Sequence, residues 1–403
     1  MEQLLNKIDK ILFSSAKSMK APTMNNDLGA LIYFATRYKI TNELIFKKKC
    51  LQLLKKFIIT FNEFDFKTGM IDGFEGVFNV FTYLEKTQII DNSKDYLIDI
   101  EESLITSIQN DIEINMFDLY YGSIGKINYF LSEDRINEEE VKVLINKLID
   151  SLWANKKSHL NQYFWIDNFS NDEKFEIIDL GIAHGICSIF LFLLRLKELN
   201  FNNDKIENLI CGVIETFKNA ENKVKGSSFY PDRYSLKNPD LNLIDSRLAF
   251  CVGDLPIAYS FSYASRVLND EELMDYSINI LKLSKHKELT GSHLKYFEKY
   301  DFFDVGFCHG ISSILFFFYK LNIFHNDELL NFKIDYWKNE LIKNTDKLIK
   351  TKRPIFYPKI FNDIYGQKEL EFSSFLNGLC GAGLVLQSIE YKDTEWCKFL
   401  YIY

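Results

Sequence analysis

Proline is scarce, with six in 403 residues, and alternating apolar–polar runs are short. Little therefore interrupts helices and little asks for strands. No stretch approaches the roughly 18 consecutive apolar residues of a membrane-spanning helix. The first twenty residues carry Glu2, Lys7, Asp9 and Lys10 and no long apolar core, so a secretory signal is not expected and the expected compartment is the cytoplasm. A basic stripe is also missing. Lys and Arg total 48 against 56 Asp and Glu, a net charge of −8, and Lys47-Lys48-Lys49 reads as a solvated helix face, which argues against nucleic-acid binding. The seven cysteines, Cys50, Cys187, Cys211, Cys251, Cys308, Cys380 and Cys397, are odd in number and widely spaced. Metal binding or catalysis is a better use for them than a disulfide framework. With only six histidines, each one beside a glycine stands out.

Two kinds of helical segment alternate along the chain. The first is amphipathic and charged: Thr41–Phe61, Tyr96–Gln109, Asn137–Asn155, Asn203–Lys223, Asn269–Lys285 and Asn331–Lys350. Several open on a capping signal, as at Asn269-Asp270, and each reads as a helix with one wet face. The second kind starts at a glycine and is apolar nearly all round: Gly76–Leu84, Gly122–Leu131, Gly185–Leu194, Gly253–Ala264, Gly310–Leu321 and Gly381–Tyr391. Asp27-Leu28-Gly29 opens a more degenerate copy. A helix apolar on all sides must be buried on all sides. The alternation recurs about seven times at an irregular period of roughly 45–70 residues. These features predict an all-α fold, an α/α barrel or toroid of about seven outer/inner helix pairs, forming one domain over residues 1–403. A linear helical solenoid fits less well, because its second helix row would be wet on one face. In a toroid all inner helices start at the same end, so the residues ahead of the glycines gather on one rim.

Three successive repeats place chemistry on that rim. They read Asp179-Leu-Gly-Ile-Ala-His184-Gly185, Arg247-Leu-Ala-Phe-Cys251-Val-Gly253 and Phe307-Cys308-His309-Gly310. Cys251, Cys308 and His309 form a Cys₂His set, which suits tetrahedral zinc with a fourth position open. A lone cysteine on an apolar face is usually a small buried hydrophobe, and Cys187 and Cys211 read that way. Core packing gives no reason for a Cys-His-Gly triplet one repeat after Cys-x-Gly. His184 could close the metal site, act as a base beside it, or simply cap its helix. Arg247 could meet developing negative charge or pair with Asp245. Asp118, four residues before Gly122, reads by itself as a helix cap.

These motifs resemble the LanC family of lanthipeptide cyclases, whose fold is an α/α toroid with Gly-x-x-Gly repeats. The family's Cys-containing zinc motif matches Phe250-Cys251-Val252-Gly253, its Cys-His-Gly matches Cys308-His309-Gly310, and its Ala-His-Gly matches Ala183-His184-Gly185. The resemblance implies Zn²⁺ on Cys251, Cys308 and His309, with His184, Arg247 and Asp118 as the catalytic set. The implied reaction adds a peptide Cys thiol to dehydroalanine or dehydrobutyrine and makes a thioether ring. The partner would be a dehydrated precursor peptide, with a dehydratase and an exporter at the membrane as further partners through which the chain would associate peripherally. The chain departs from the family pattern at Phe250, Val252, Leu255-Pro256 and Ser313, and Val252 removes a phenol. Three other readings stay open. One is a non-catalytic LanC-like peptide-binding module. Another is a glycoside-active α/α barrel using rim carboxylates such as Asp72, Asp179, Asp245 and Asp304. The third, a prenyltransferase-like zinc thiol enzyme, needs an aspartate in its metal set. Aromatic connectors at Tyr163-Phe164-Trp165, Phe229-Tyr230-Pro231, Tyr296–Phe303 and Pro354–Pro358 would line a peptide cleft or anchor their loops.

Overall fold

The structure, a computed structural model, describes residues 1–15, 22–166, 176–222, 226–351 and 374–403. Among these residues the chain forms fourteen α-helices. The outer set is α1 (Glu2–Ser15), α3 (Leu44–Thr60), α5 (Lys94–Glu113), α7 (Glu139–Asn155), α9 (Lys205–Asn219), α11 (Glu271–Ser284) and α13 (Glu328–Thr351). The inner set is α2 (Asp27–Thr41), α4 (Gly76–Lys86), α6 (Ser123–Ile127), α8 (Ile186–Glu198), α10 (Asp254–Leu268), α12 (Ile311–His325) and α14 (Leu379–Tyr391). Burial follows the sequence pattern. In α8 every residue from Ile186 to Leu194 is buried, and in α14 every residue from Leu379 to Ser388. In outer α9 the buried residues Ile206, Leu209, Ile210, Val213 and Phe217 form one stripe at helical spacing.

Neighbouring inner helices pack on one another, except that α4 meets the third repeat through the 3₁₀ turn that follows α6, where Phe78 contacts Tyr129, and α14 packs on α2, so the ring closes. Near the inner-helix starts the repeats are also stitched by main-chain hydrogen bonds. Asn25 N–H donates to Ile71 at 3.1 Å, Leu119 to Ala183 at 3.1 Å, Ile182 to Cys251 at 3.0 Å and Phe250 to Cys308 at 3.0 Å. Cys308 donates to Leu376 and Phe375 to Asn25, both at 2.8 Å. The expected α/α toroid is thus the observed architecture.

Several boundaries differ from the sequence expectation. The outer helix expected from Thr41 begins at Leu44, because α2 runs through Thr41 and ends on left-handed Asn42, φ 62°. The third inner helix is one short turn pair followed by a 3₁₀ turn at Asn128–Phe130. Helix α1 was not among the expected outer helices. It packs on α14, and its buried Asp9 accepts from Tyr33 Oη at 2.7 Å and Arg37 at 2.9 Å on α2. It therefore covers the seam where the last repeat meets the first.

The connectors from outer to inner helices carry two short antiparallel hairpins, β1 (Lys157–His159) with β2 (Gln162–Phe164) and β5 (Tyr296–Phe297) with β6 (Phe302–Phe303), and β3 (Ile177–Ile178) pairs antiparallel with β4 (Tyr234–Ser235) across two successive connectors. Their aromatics mostly anchor the loops. Phe164, Trp165, Tyr230 and Phe302 are buried, and the Trp165 indole N–H donates to the Leu152 carbonyl. Pro354–Pro358 lies outside the described residues. Residues 395–403 pack among the inner helices. Trp396 packs on Phe307, Phe316 and Phe375, Tyr401 Oη reaches the Ile124 carbonyl in α6, and Tyr259 Oη in α10 donates to the Tyr403 carbonyl.

Candidate active site

Five inner helices, α6, α8, α10, α12 and α14, are N-capped by glycine: Gly122, Gly185, Gly253, Gly310 and Gly378. The residues two before these glycines, Tyr120, Ala183, Cys251, Cys308 and Leu376, are all buried. The residues one before, Tyr121, His184, Val252, His309 and Asn377, are all half-buried. One register therefore sends side chains into the closed ring and the next sends them to its mouth. Cys251 and Cys308 hold the inward register in adjacent repeats, and His309 holds the mouth register beside Cys308.

The ligand atoms of Cys251, Cys308 and His309 all lie within 4.8 Å of one another. His309 Nε2 is 3.7 Å from Cys308 Sγ, and the Tyr120 hydroxyl is 3.5 Å from the same sulfur. The two thiols titrate as a pair. The hydrogen bond from Cys251 eases ionisation of Cys308, with burial opposing it and His309 assisting. The same bond, with burial, raises Cys251. Two soft sulfurs and an imidazole, converging from two repeats at the edge of the mouth, are a donor set that could hold a metal ion. All seven cysteines are free thiols, and Cys187 is a buried core residue bonded to the Pro256 carbonyl.

His184 sits one repeat away. Its Nδ1 is 3.3 Å from Asp118 Oδ1. Tyr121 stacks on the imidazole at 5.6 Å and 13°, and Tyr120 meets its edge at 5.3 Å. Burial works to lower the His184 pKa, but the hydrogen bond and charge of Asp118 outweigh it and the net shift is upward. Asp118 Oδ1 also accepts from the backbone N–H of Tyr120 and Tyr121, both at 2.8 Å. It is thus a turn cap, as its sequence position suggested, and also a partner of His184. Among the described residues, Asp118 Oδ2 is buried without a hydrogen bond.

Arg247 is exposed near the cluster, and its charge lowers the pKa of both Cys251 and His309 against the larger effects acting on them. The alternative Asp245 pairing is not formed among the described residues, because Asp245 instead accepts from Ser227, Ser228 and Asn222.

Two glycines set this geometry. Gly253 adopts φ +92°, and a Cβ there would lie 2.1 Å from the Arg247 carbonyl oxygen. A Cβ on Gly181 would lie 2.1 Å from the Cys251 carbonyl oxygen, so only glycine lets Ile182 reach that oxygen. At Ser313 the departure is accommodated: its hydroxyl donates to the Gly310 carbonyl at 3.0 Å, as Ser188 does to Gly185 at 2.8 Å. The other rim carboxylates hold main chain or neighbouring side chains. Asp179 and Asp304 accept from the N–H of Gly181 and Gly306, and Asp72 accepts from Asn25 Nδ2. Tyr120 and Tyr121 were not singled out from sequence. The signal was present, since they stand before Gly122 in the same register as Cys308 and His309 before Gly310.

An α/α toroid with a Cys₂His cluster and a His–Asp pair on one rim defines the class of protein. The chain belongs to the lanthionine synthetase C-like proteins, whose family profile matches residues 24–401. A solved structure titled Nisin cyclase superposes with a TM-score of 0.75 at 16% identity, covering 100% of this chain and 98% of that one. Sequence comparison with curated proteins found no match.

Proposed function

We propose that this chain is a zinc-dependent lanthipeptide cyclase acting as one unit over residues 1–403. It adds peptide Cys thiols to dehydroalanine or dehydrobutyrine and forms lanthionine or methyllanthionine thioethers. The observation that carries this reading is the convergence of Cys251, Cys308 and His309 beside the His184–Asp118 pair. Zinc on the three ligands would supply the Lewis acidity that lowers a substrate thiol from its usual pKa near 8.5.

His184 does the proton work. With Nδ1–H directed at Asp118 Oδ1, Nε2 is the basic nitrogen that takes the thiol proton. The sulfur then bonds to the alkene β-carbon, and the π electrons move to the α-carbon and its carbonyl oxygen. Protonation at the α-carbon from His184 Nε2 returns the same proton, so the reaction is an isomerisation with no net proton change. Asp118 holds the imidazole tautomer, and the exposed Arg247 guanidinium meets charge on the enolate oxygen. The substrate is a dehydrated precursor peptide. A dehydratase and an exporter are further partners, and the site of action is cytoplasmic, with peripheral association at the membrane through them.

The test is zinc per chain by elemental analysis on wild type and Cys308→Ala, followed by incubation with a dehydrated peptide. Ring closure leaves mass unchanged, so it is read as loss of alkylatable thiols. About one zinc in wild type, clearly less in the variant, and thiol loss only with wild type are expected. Well-folded wild type that takes up no zinc on reconstitution overturns the reading.

A further inference from the structure

The inward register at the inner-helix starts runs Tyr120, Ala183, Cys251 and Cys308 over the third to sixth repeats. Tyr120 is thus a further polar side chain sent inward, and it comes from a repeat that supplies no member of the Cys₂His cluster. It is only 5% exposed. Its backbone N–H is held by Asp118 Oδ1 at 2.8 Å and shared with the Ala183 carbonyl at 3.3 Å. Its ring stacks on Phe250 at 6.3 Å and 15° and meets the edge of His184 at 5.3 Å. Main-chain and ring contacts therefore fix the phenol, and its hydroxyl ends 3.5 Å from Cys308 Sγ. A buried tyrosine hydroxyl usually finds a partner, and here the partner is a sulfur. Between a phenol and a thiol either atom can donate. Once Cys308 is ionised as a ligand its sulfur carries no proton, and the phenol is the donor. A hydrogen bond to a charged acceptor is roughly twice as strong as a neutral one, so the contact favours the ligating form of Cys308 over the protonated form.

Resting on the zinc reading of the cluster, we propose that Tyr120 is a positioning residue for the thiol addition: its hydroxyl donates to Cys308 Sγ and sets how much negative charge that sulfur passes to the metal. Two thiolates and a neutral imidazole already cancel the double charge of a zinc ion, which leaves little to draw the proton from a substrate thiol. A donor on Cys308 withdraws charge from its sulfur and returns acidity to the open fourth position. Partners of metal ligands tune a site in this way without touching the metal. Tyr120 therefore acts through Cys308 and not on the peptide.

Tyr120→Phe keeps the ring and removes the hydroxyl. Tyr83→Phe is the control, since it removes another buried phenol, one that lies 2.8 Å from Thr36 Oγ1. Zinc affinity is measured by competition with a chromophoric chelator. The thiolate-to-metal charge-transfer band is read with Co²⁺ in place of zinc, and neither readout needs turnover. Thermal melts report folding. Tyr120→Phe should bind zinc roughly tenfold to hundredfold more weakly. Its cobalt band should move to longer wavelength, because a sulfur without a donor gives up an electron more easily. Tyr120→Leu, which also lacks the hydroxyl, should move both readouts the same way, and Tyr83→Phe should move neither. A folded Tyr120→Phe with the wild-type band, or a band shift shared with Tyr83→Phe, overturns the assignment; wild type that cyclises a dehydrated peptide then leaves the cyclase reading standing. Wild type that takes up neither zinc nor cobalt overturns both.

Discussion

Replacing Gly181 by alanine should disturb the proposed zinc site although residue 181 is not one of its ligands. The added methyl would sit 2.1 Å from the Cys251 carbonyl oxygen and 2.9 Å from Asp179 Oδ1, where ordinary contact begins at 3.4 Å. One side of the contact must therefore retreat by about 1 Å or more, and the Cys251 backbone belongs to a proposed zinc ligand. Metal–ligand distances tolerate only about 0.2 Å. Overpacking costs about 1–3 kcal/mol, and the hydrogen bond from Ile182 to Cys251, 3.0 Å long, contributes about 1 kcal/mol more. A loss of about 2–4 kcal/mol together with reduced zinc is expected, read from urea midpoints and elemental analysis. Gly291→Ala is the control. It has open space around it but φ +94°, so it should lose about 1–2 kcal/mol to backbone strain with zinc unchanged. A Gly181→Ala protein with full zinc and the wild-type midpoint would refute the argument that the rim backbone places Cys251.

Trp396→Ala should cost about 3–5 kcal/mol, because the indole is fully buried against Phe307, Phe316 and Phe375 and donates to Ser388 Oγ at 2.7 Å. Denaturant unfolding that shows a loss below about 1 kcal/mol would mean that the C-terminal residues do not brace the ring. The pH dependence has a definite sign. In the proposed mechanism His184 must be neutral to accept the thiol proton, and Asp118 raises its pKa, so the rate should fall as pH drops through that raised value. Asp118→Asn should move this acid limb to lower pH while lowering the maximal rate by up to roughly 10²–10⁴-fold; an unmoved limb would assign it to another group.

Much of this protein was legible in its sequence because helix burial is a local property of side-chain pattern. All-apolar segments opening on glycine read as inner helices, amphipathic ones as outer helices, and their alternation along the chain points to a double ring. The Cys-x-Gly and Cys-His-Gly register was also visible, since any fold that starts its inner helices on one rim brings Cys251, Cys308 and His309 together. Other features depended on tertiary structure. Helix α1 covers the seam between first and last repeats through Asp9, Tyr33 and Arg37, contacts too distant along the chain to appear in any local pattern. Asp118 read as a helix cap because one oxygen does cap a turn. Its contact with His184, 66 residues away, exists only once repeats three and four stand side by side. The same holds for Gly181. A sequence shows that a glycine is present, but which backbone approaches it is decided by the closing of the ring.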